Sequence, residues 1–300
     1  MSDHFIVPHS LFSRHPLQLT MPQVLTPHQQ QKIAKFKYCG GDTSPIYAHV
    51  LSPLAQSMVD LTPPWVPPNV ITFLGLVFSI ISLVLTVYYN PELKADVCPR
   101  WVHLVVAINL FLYQTLDNMD GKQARKTGSS SPLGMLFDHG IDAINSCLLV
   151  LPLVSALGTG INMFVVAAMF IVLLPFYTTT WEEFYREEMV LGFVNGPTEG
   201  LLTLMGFLVC TSIYGTEKWH EAVDVPLVGH MLPADITIFH LLVTAFAAMV
   251  VVTVTPQLYT GMLYFLCICF YTDACLNLVI YSLLLVQLLW RVISAKVNIH

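Results

Sequence analysis

Residues 70–89 read VITFLGLVFSIISLVLTVYY, with no charged side chain among them. At about 1.5 Å per residue, a helix of that length crosses a hydrocarbon core of about 30 Å. A helix that is apolar all round is either deeply buried or embedded in lipid. Comparable uncharged runs occupy 101–116, 143–158, 160–181, 200–215, 236–254, 258–272 and 275–290. A soluble fold would have to bury several such helices completely, which a chain of 300 residues has no room to do. Only 11% of the residues are charged, and the mean hydropathy is +0.66. The pattern predicts an all-α polytopic membrane helix bundle of about seven or eight transmembrane helices, the last two runs being short enough to form one bent element.

The formal net charge of −6 says little about partners, because the acids are clustered; no nucleic-acid partner is expected. The seven cysteines lie mostly inside apolar runs (Cys147, Cys210, Cys267, Cys269, Cys275), with neither CxxC nor zinc spacing, so no disulfide framework is expected. The polar N-terminus lacks an apolar signal core, and the first span is expected to direct insertion. Lys32, Lys35 and Lys37 precede that span, and Lys122, Arg125 and Lys126 follow the second, whereas Lys94 and Arg100 alone lie between them. The positive-inside bias puts the N-terminus and the 117–142 region in the cytosol. With eight spans the basic tail RVISAKVNIH is cytosolic as well, and its charge favours eight.

The chain divides into a polar N-terminal segment (1–44), an interfacial amphipathic segment (45–68), a membrane core (69–215) and C-terminal transmembrane helices (216–300). TPPWVPPN at 62–69 breaks the chain sharply before the first span. No internal repeat is visible, which weighs against an inverted-repeat transporter.

Against this apolar background, LDNMDGKQARKTGSSSPLGMLFDHGID at 116–142 holds Asp117, Asp120, Asp138 and Asp142. Asp117 and Asp120 are three apart, and Asp138 and Asp142 four apart, so each pair projects from one helix face. Gly128–Ser131 and Pro132 break the chain between the two helices, which can aim all four carboxylates into one cleft. An unpaired aspartate within a membrane helix costs about 2.5–3.5 kcal/mol, and like charges this close repel. Two hard divalent cations would offset both costs and still attract an anionic substrate. Gly121 and Ala124 leave space beside Asp120, and Lys122, Arg125 and Lys126 bring positive charge for phosphates. A solvated acidic helix end would not explain why small residues and paired carboxylates coincide twice.

Asp117-x2-Asp120-Gly121-x2-Ala124-Arg125-x8-Gly134-x3-Asp138-x3-Asp142 resembles, in full, the signature of the CDP-alcohol phosphatidyltransferases. LDNMDGKQAR and SSSPLGMLFDHG resemble the choline/ethanolamine phosphotransferase branch. PPNVIT at the first span, WEEF at 181–184 and NGPTEG at 195–200 extend the likeness over roughly residues 35–205. The resemblance implies transfer of phosphocholine or phosphoethanolamine from CDP-choline or CDP-ethanolamine to diacylglycerol, releasing CMP. It also implies that Asp117, Asp120, Asp138 and Asp142 hold two Mg²⁺ or Mn²⁺ ions. Asn69, Gly121 and Ala124 would line a cytidine pocket, with Lys122 and Arg125 near the phosphates. An endoplasmic reticulum or Golgi membrane and a homodimer follow from the same likeness.

Two residues are candidates for the base that takes the lipid hydroxyl proton. Asp142 serves if it is free of metal, and His139 has an ordinary pKa of about 6.5 that suits the task. The resemblance pairs that histidine with Glu199. Relatives commonly read LGELFDHG, where this chain has Met135, one turn before His139. Glu182 and Glu183 read as an interfacial helix start, and Trp181, Tyr177 and Tyr185 as interfacial aromatics rather than a choline cage. Three other readings stand beside this one: a family member using inositol or glycerol phosphate, a catalytically silent lipid- or nucleotide-binding homologue, and a cation-coupled transporter.

Overall fold

The computed structural model describes residues 26, 40–186, 188–222 and 236–268, with side chains as far as 262 in the last stretch. Most of the polar N-terminal segment and the apolar run at 275–290 with its basic tail therefore lie outside the described residues. The described elements fall in one unit, Lys37–His300. They begin with a short strand β1 (Gly40–Asp42), a π-helical turn Tyr47–Leu51 and helix α1 (Ser52–Leu61). Then come α2 (Pro68–Tyr89), α3 (Arg100–Thr127), α4 (Pro132–Leu148), α5 (Val150–Leu157) and α6 (Met163–Arg186). Strand β2 (Met189–Leu191), a π-helical turn Gly196–Gly200, α7 (Leu201–Tyr214), a 3₁₀ turn Glu217–His220 and α8 (Ile238–Ile268) complete it. The bundle is all-α apart from the two three-residue strands.

Pro68 sits in the first turn of α2, where its missing N–H costs nothing. The helix buries Thr72, Gly75, Ser79, Ser82 and Thr86, one small residue every three or four positions. That seam lets α3 come close. A Cβ on Gly75 would lie 3.3 Å from the Tyr113 ring, and Asn109 Nδ2 donates to Ser82 Oγ at 3.2 Å. Small residues and interhelical hydrogen bonds hold helices together where lipid removes the hydrophobic drive. Phe73, Leu74, Val84 and Tyr88 point outward and are exposed, as a lipid-facing surface should be.

Gly128, at φ +66°, ends α3 in the left-handed conformation that lets its N–H turn back onto the last carbonyls. Ser131 Oγ then caps α4 by accepting from Gly134 N at 3.1 Å. Helices α4 and α5 join through Leu149 into one span, Pro132–Leu157. Helix α5 is buried at every position but Leu151 and packs Leu153, Ala156 and Leu157 with Val106 and Leu110 of α3 and Leu208 of α7.

Among the described residues, five helical spans are long and apolar enough to cross a membrane: α2, the joined α4–α5, α6, the stretch Gly196–Tyr214 and α8. Helix α3, at 28 residues, is of spanning length too. One expectation is corrected. The runs 236–254 and 258–272 do not form two spans, because a single helix runs from Ile238 to Ile268 through Pro256. A membrane helix tolerates such a proline when neighbours satisfy the freed polar groups. Beside it, the Gln257 side chain accepts from Thr178 Oγ1 and donates to Thr179 Oγ1, each at 2.6 Å, fastening α8 to α6.

Residues 52–61 fold as an amphipathic helix. Ala55 and Val59 of α1 are fully buried against Ile71 and Met119. Its C-terminal carbonyls are capped from α3, with Lys126 Nζ donating to Val59 O at 2.6 Å and Thr62 O at 2.8 Å.

Candidate active site

Helix α3 carries Asp117 and Asp120 one turn apart, and α4 carries Asp138 and Asp142. One carboxylate oxygen from each of Asp117, Asp138 and Asp142 lies within 4.8 Å of the other two. Asp120 is buried beside them and accepts from Thr72 Oγ1 at 2.5 Å, so α2 orients it. Tyr113, held over Gly75, donates its hydroxyl to Asp142 Oδ1 at 2.9 Å. The seam that brings α2 onto α3 thus also fixes two site residues.

Among the described residues, no lysine or arginine forms an ion pair with any of the four aspartates. Asp138 Oδ1 is buried without a donor. A buried carboxylate oxygen with no partner is costly, and three clustered carboxylates are a donor set suited to hard divalent ions. The residues fit the metal that the signature implies.

A cavity of about 330 Å³ opens at the cluster. Its polar end is lined by Asp117, Asn118, Arg125, Asp138, His139 and Asp142. Its other end is apolar, with Leu149, Leu153, Val172, Leu204, Phe246 and Val250. Arg125 reaches the cavity, whereas Lys122 donates to Ser52 Oγ at 2.9 Å on α1 and Lys126 caps α1. Of the three basic residues expected at the phosphates, the structure brings one to the cavity. Asn69, Gly121 and Ala124 lie outside the lining but on its flank: the Arg125 guanidinium lies over Gly121, and Asn69 Oδ1 faces Gly134.

His139 is not paired with Glu199, as the resemblance implies. Its Nδ1 lies 3.5 Å from Glu183 Oε2, both side chains being mostly buried. Glu199 instead accepts from Ser44 Oγ and from Asn195 N, the latter at 2.8 Å. The contact between helices α4 and α6 therefore supplies the histidine's carboxylate, which sequence reasoning assigned to an interfacial helix start. Glu182 is also buried and binds Arg186 at 2.7 Å. Trp181, Tyr177 and Tyr185 do not line the cavity, and Trp181 packs over Gly261 of α8.

A feature absent from the sequence reading covers the polar end of the cavity. Strand β1 pairs in parallel with β2, Gly41 opposite Val190, and Gly40, Gly41, Asp42, Met189 and Leu191 all line the cavity. Asp42 holds the strands in place by accepting from Ser44 N at 2.7 Å, Asn195 Nδ2 at 2.9 Å and Thr198 Oγ1 at 2.6 Å. Burial pushes the Asp42 carboxyl above its ordinary range, and hydrogen bonds from Thr198 and Ser44 oppose that rise. Gln114 Nε2, donating to Pro197 O at 2.8 Å, docks the Gly196–Gly200 turn on α3. Asp42→Ala leaves three donors unpaired and is expected to loosen this strap by about 1–3 kcal/mol. Hydrogen exchange at Gly41 and Asn195 should then quicken by about ten-fold or more while α3 keeps its protection; unchanged exchange would remove Asp42 as the fastening.

Residues 65–228 match the CDP-alcohol phosphatidyltransferase family. The chain is 40% identical over 189 residues to cholinephosphotransferase 1 of Saccharomyces cerevisiae, covering 63% of this chain and 48% of that protein. It is 40% identical over 205 residues to choline/ethanolaminephosphotransferase 1 of Arabidopsis thaliana (67% of this chain, 51% of that protein). It is 34% identical over 208 residues to ethanolaminephosphotransferase 1 of Homo sapiens (66% and 52%). The chain thus spans about half the length of the curated relatives it matches. The matched region holds the four aspartates and most of the cavity wall, and this chain belongs to the CDP-alcohol phosphatidyltransferase family.

Proposed function

We propose that the protein transfers phosphocholine, phosphoethanolamine or both from the CDP conjugate to diacylglycerol, releasing CMP and forming phosphatidylcholine or phosphatidylethanolamine. The observation that carries this reading is one cavity with a carboxylate cluster at one end and an aliphatic wall at the other. A pyrophosphate needs the first and an acyl chain needs the second. The relatives' names point to the same donors.

Asp117, Asp138 and Asp142, with Asp120 set by Thr72, would hold two Mg²⁺ or Mn²⁺ ions. The chemistry such cations supply when bound is neutralisation of charge on the pyrophosphate and on the departing CMP. Arg125 adds a fixed positive charge to the same end of the cavity. Tyr113 holds Asp142 by its hydroxyl, and the grouping of Asp142 with Asp117 and Asp138 supports it as a ligand rather than the base. His139 takes the proton of the diacylglycerol hydroxyl at Nε2, its Nδ1 being turned to Glu183. The hydroxyl oxygen attacks the phosphorus bearing the choline or ethanolamine, and the bond from that phosphorus to the CMP oxygen breaks. Catalysis is by positioning and electrostatics, without a covalent intermediate. The basic residues around the cavity mouth support a cytosolic opening, and the family likeness supports an endoplasmic reticulum or Golgi membrane and a homodimer.

The test is CMP release by purified protein supplied with diacylglycerol, Mg²⁺ or Mn²⁺ and either CDP-choline or CDP-ethanolamine. Release that requires both lipid and metal is expected, and the donor ratio identifies the head group. Folded, donor-binding protein that releases no CMP with either donor would overturn the reading in favour of a silent homologue.

A further inference from the structure

The cavity wall changes character in a regular way. Along α4–α5 the lining runs from Asp142 through Ser146 to Leu149 and Leu153; along α6 it runs from Thr180 and Thr179 through Phe176 to Val172 and Ile171. Helix α8 repeats the trend, from Thr253 through Val250 to Phe246. Beyond this apolar end lies a second, smaller void of about 20 Å³. Leu157, Phe164, Ala168, Leu242 and Val243 line it, and it shares Leu153, Ile171 and Phe246 with the main cavity. Those three side chains, one from each wall, form the constriction between the two spaces.

The small void has room for about one water but offers it no polar partner, so it suits only hydrocarbon. From Asp142 to Leu153 the wall extends about 16 Å at 1.5 Å per residue, about half of a hydrocarbon core of about 30 Å. An apolar passage of that reach, open to a polar reaction end, fits a single extended alkyl chain.

We propose that Leu153, Ile171 and Phe246 form the floor of the acceptor-lipid site and set how long an acyl chain the enzyme accepts. This rests on the phosphotransferase reading above. The chain of the acceptor ends against the Phe246 ring, and the space past the ring is closed to longer chains. Removing the ring joins the two voids. Restoring a ring one helical turn away, at Val243, fills the far void again.

The test uses the full-length protein in nanodiscs with two acceptors in competition, dioctanoyl- and diarachidoyl-glycerol. Phe246→Ala is expected to raise the long-to-short ratio of kcat/KM by about ten-fold, the scale on which an apolar pocket senses added methylenes. Phe246→Ala with Val243→Phe should bring the ratio back toward wild type. A ratio unmoved by Phe246→Ala, or moved equally in both proteins, overturns the assignment while leaving the transferase reading intact. If the wild type turns over neither acceptor, the transferase reading fails, and the floor is read instead from retention of the same two lipids in native mass spectrometry. The Phe246→Ala protein must then retain proportionally more of the long-chain lipid than wild type; equal proportions overturn it.

Discussion

Asp138→Asn is expected to cut CMP release by about 10³-fold, on the scale seen when one preorganised electrostatic group is lost, and to raise the thermal midpoint of the ion-free protein. Both effects have one cause. Asp138 Oδ1 is buried without a donor, in a cluster whose carboxylate oxygens lie within 4.8 Å. Neutralising one member relieves repulsion and removes a ligand together. Wild type should gain about 2.7 kcal/mol from a metal present at a hundred times its dissociation constant, read as a rise in melting temperature with added Mg²⁺. In Asp138→Asn that rise should shrink sharply. A variant that keeps both metal-dependent turnover and the metal-induced rise would remove Asp138 from the ion site.

His139→Ala should lower kcat by about 10²–10⁴-fold, the range for loss of a general base. The sharper experiment compares the two glutamates. Glu183 faces His139 Nδ1 at 3.5 Å, so Glu183→Gln should lower kcat by at least about ten-fold through loss of imidazole orientation. Glu183→Asp, which keeps the charge, should recover part of it. Glu199 fastens Ser44 and Asn195, so Glu199→Gln should act mainly by loosening the strap, seen as faster hydrogen exchange at Asn195. A kcat loss in Glu199→Gln as deep as in His139→Ala, with Glu183→Gln near wild type, would reverse the assignment.

How far these features could be read in advance follows from how local they are. The run at 70–89 becomes α2 because composition alone makes a membrane helix, and four aspartates at three- and four-residue spacing meet because helical periodicity aligns them. What escaped was set by partners distant in sequence. Glu183 reaches His139 only once α6 crosses α4, and nothing in WEEF separates an interfacial acid from a buried one. Lys126 reads as a phosphate ligand until α1 folds back and offers it two carbonyls. The β1–β2 pairing joins Gly40–Asp42, before the first span, to Met189–Leu191, after α6, in strands of three residues, too short to show alternation. Pro256 reads as a boundary because proline usually ends helices in water, and the Gln257 bonds that fasten this part of α8 to α6 are tertiary contacts.

The graded cavity wall has a consequence for traffic. On the proposed function, a nucleotide would come to the carboxylates from water, past the strap, and its leaving half would return the same way. The acylated partner would lie along the apolar wall at the other end. The two substrates would then approach one reaction centre from opposite ends, so neither must leave before the other arrives. Saturating one should leave the other's entry unobstructed, giving a ternary complex whose double-reciprocal plots intersect rather than run parallel.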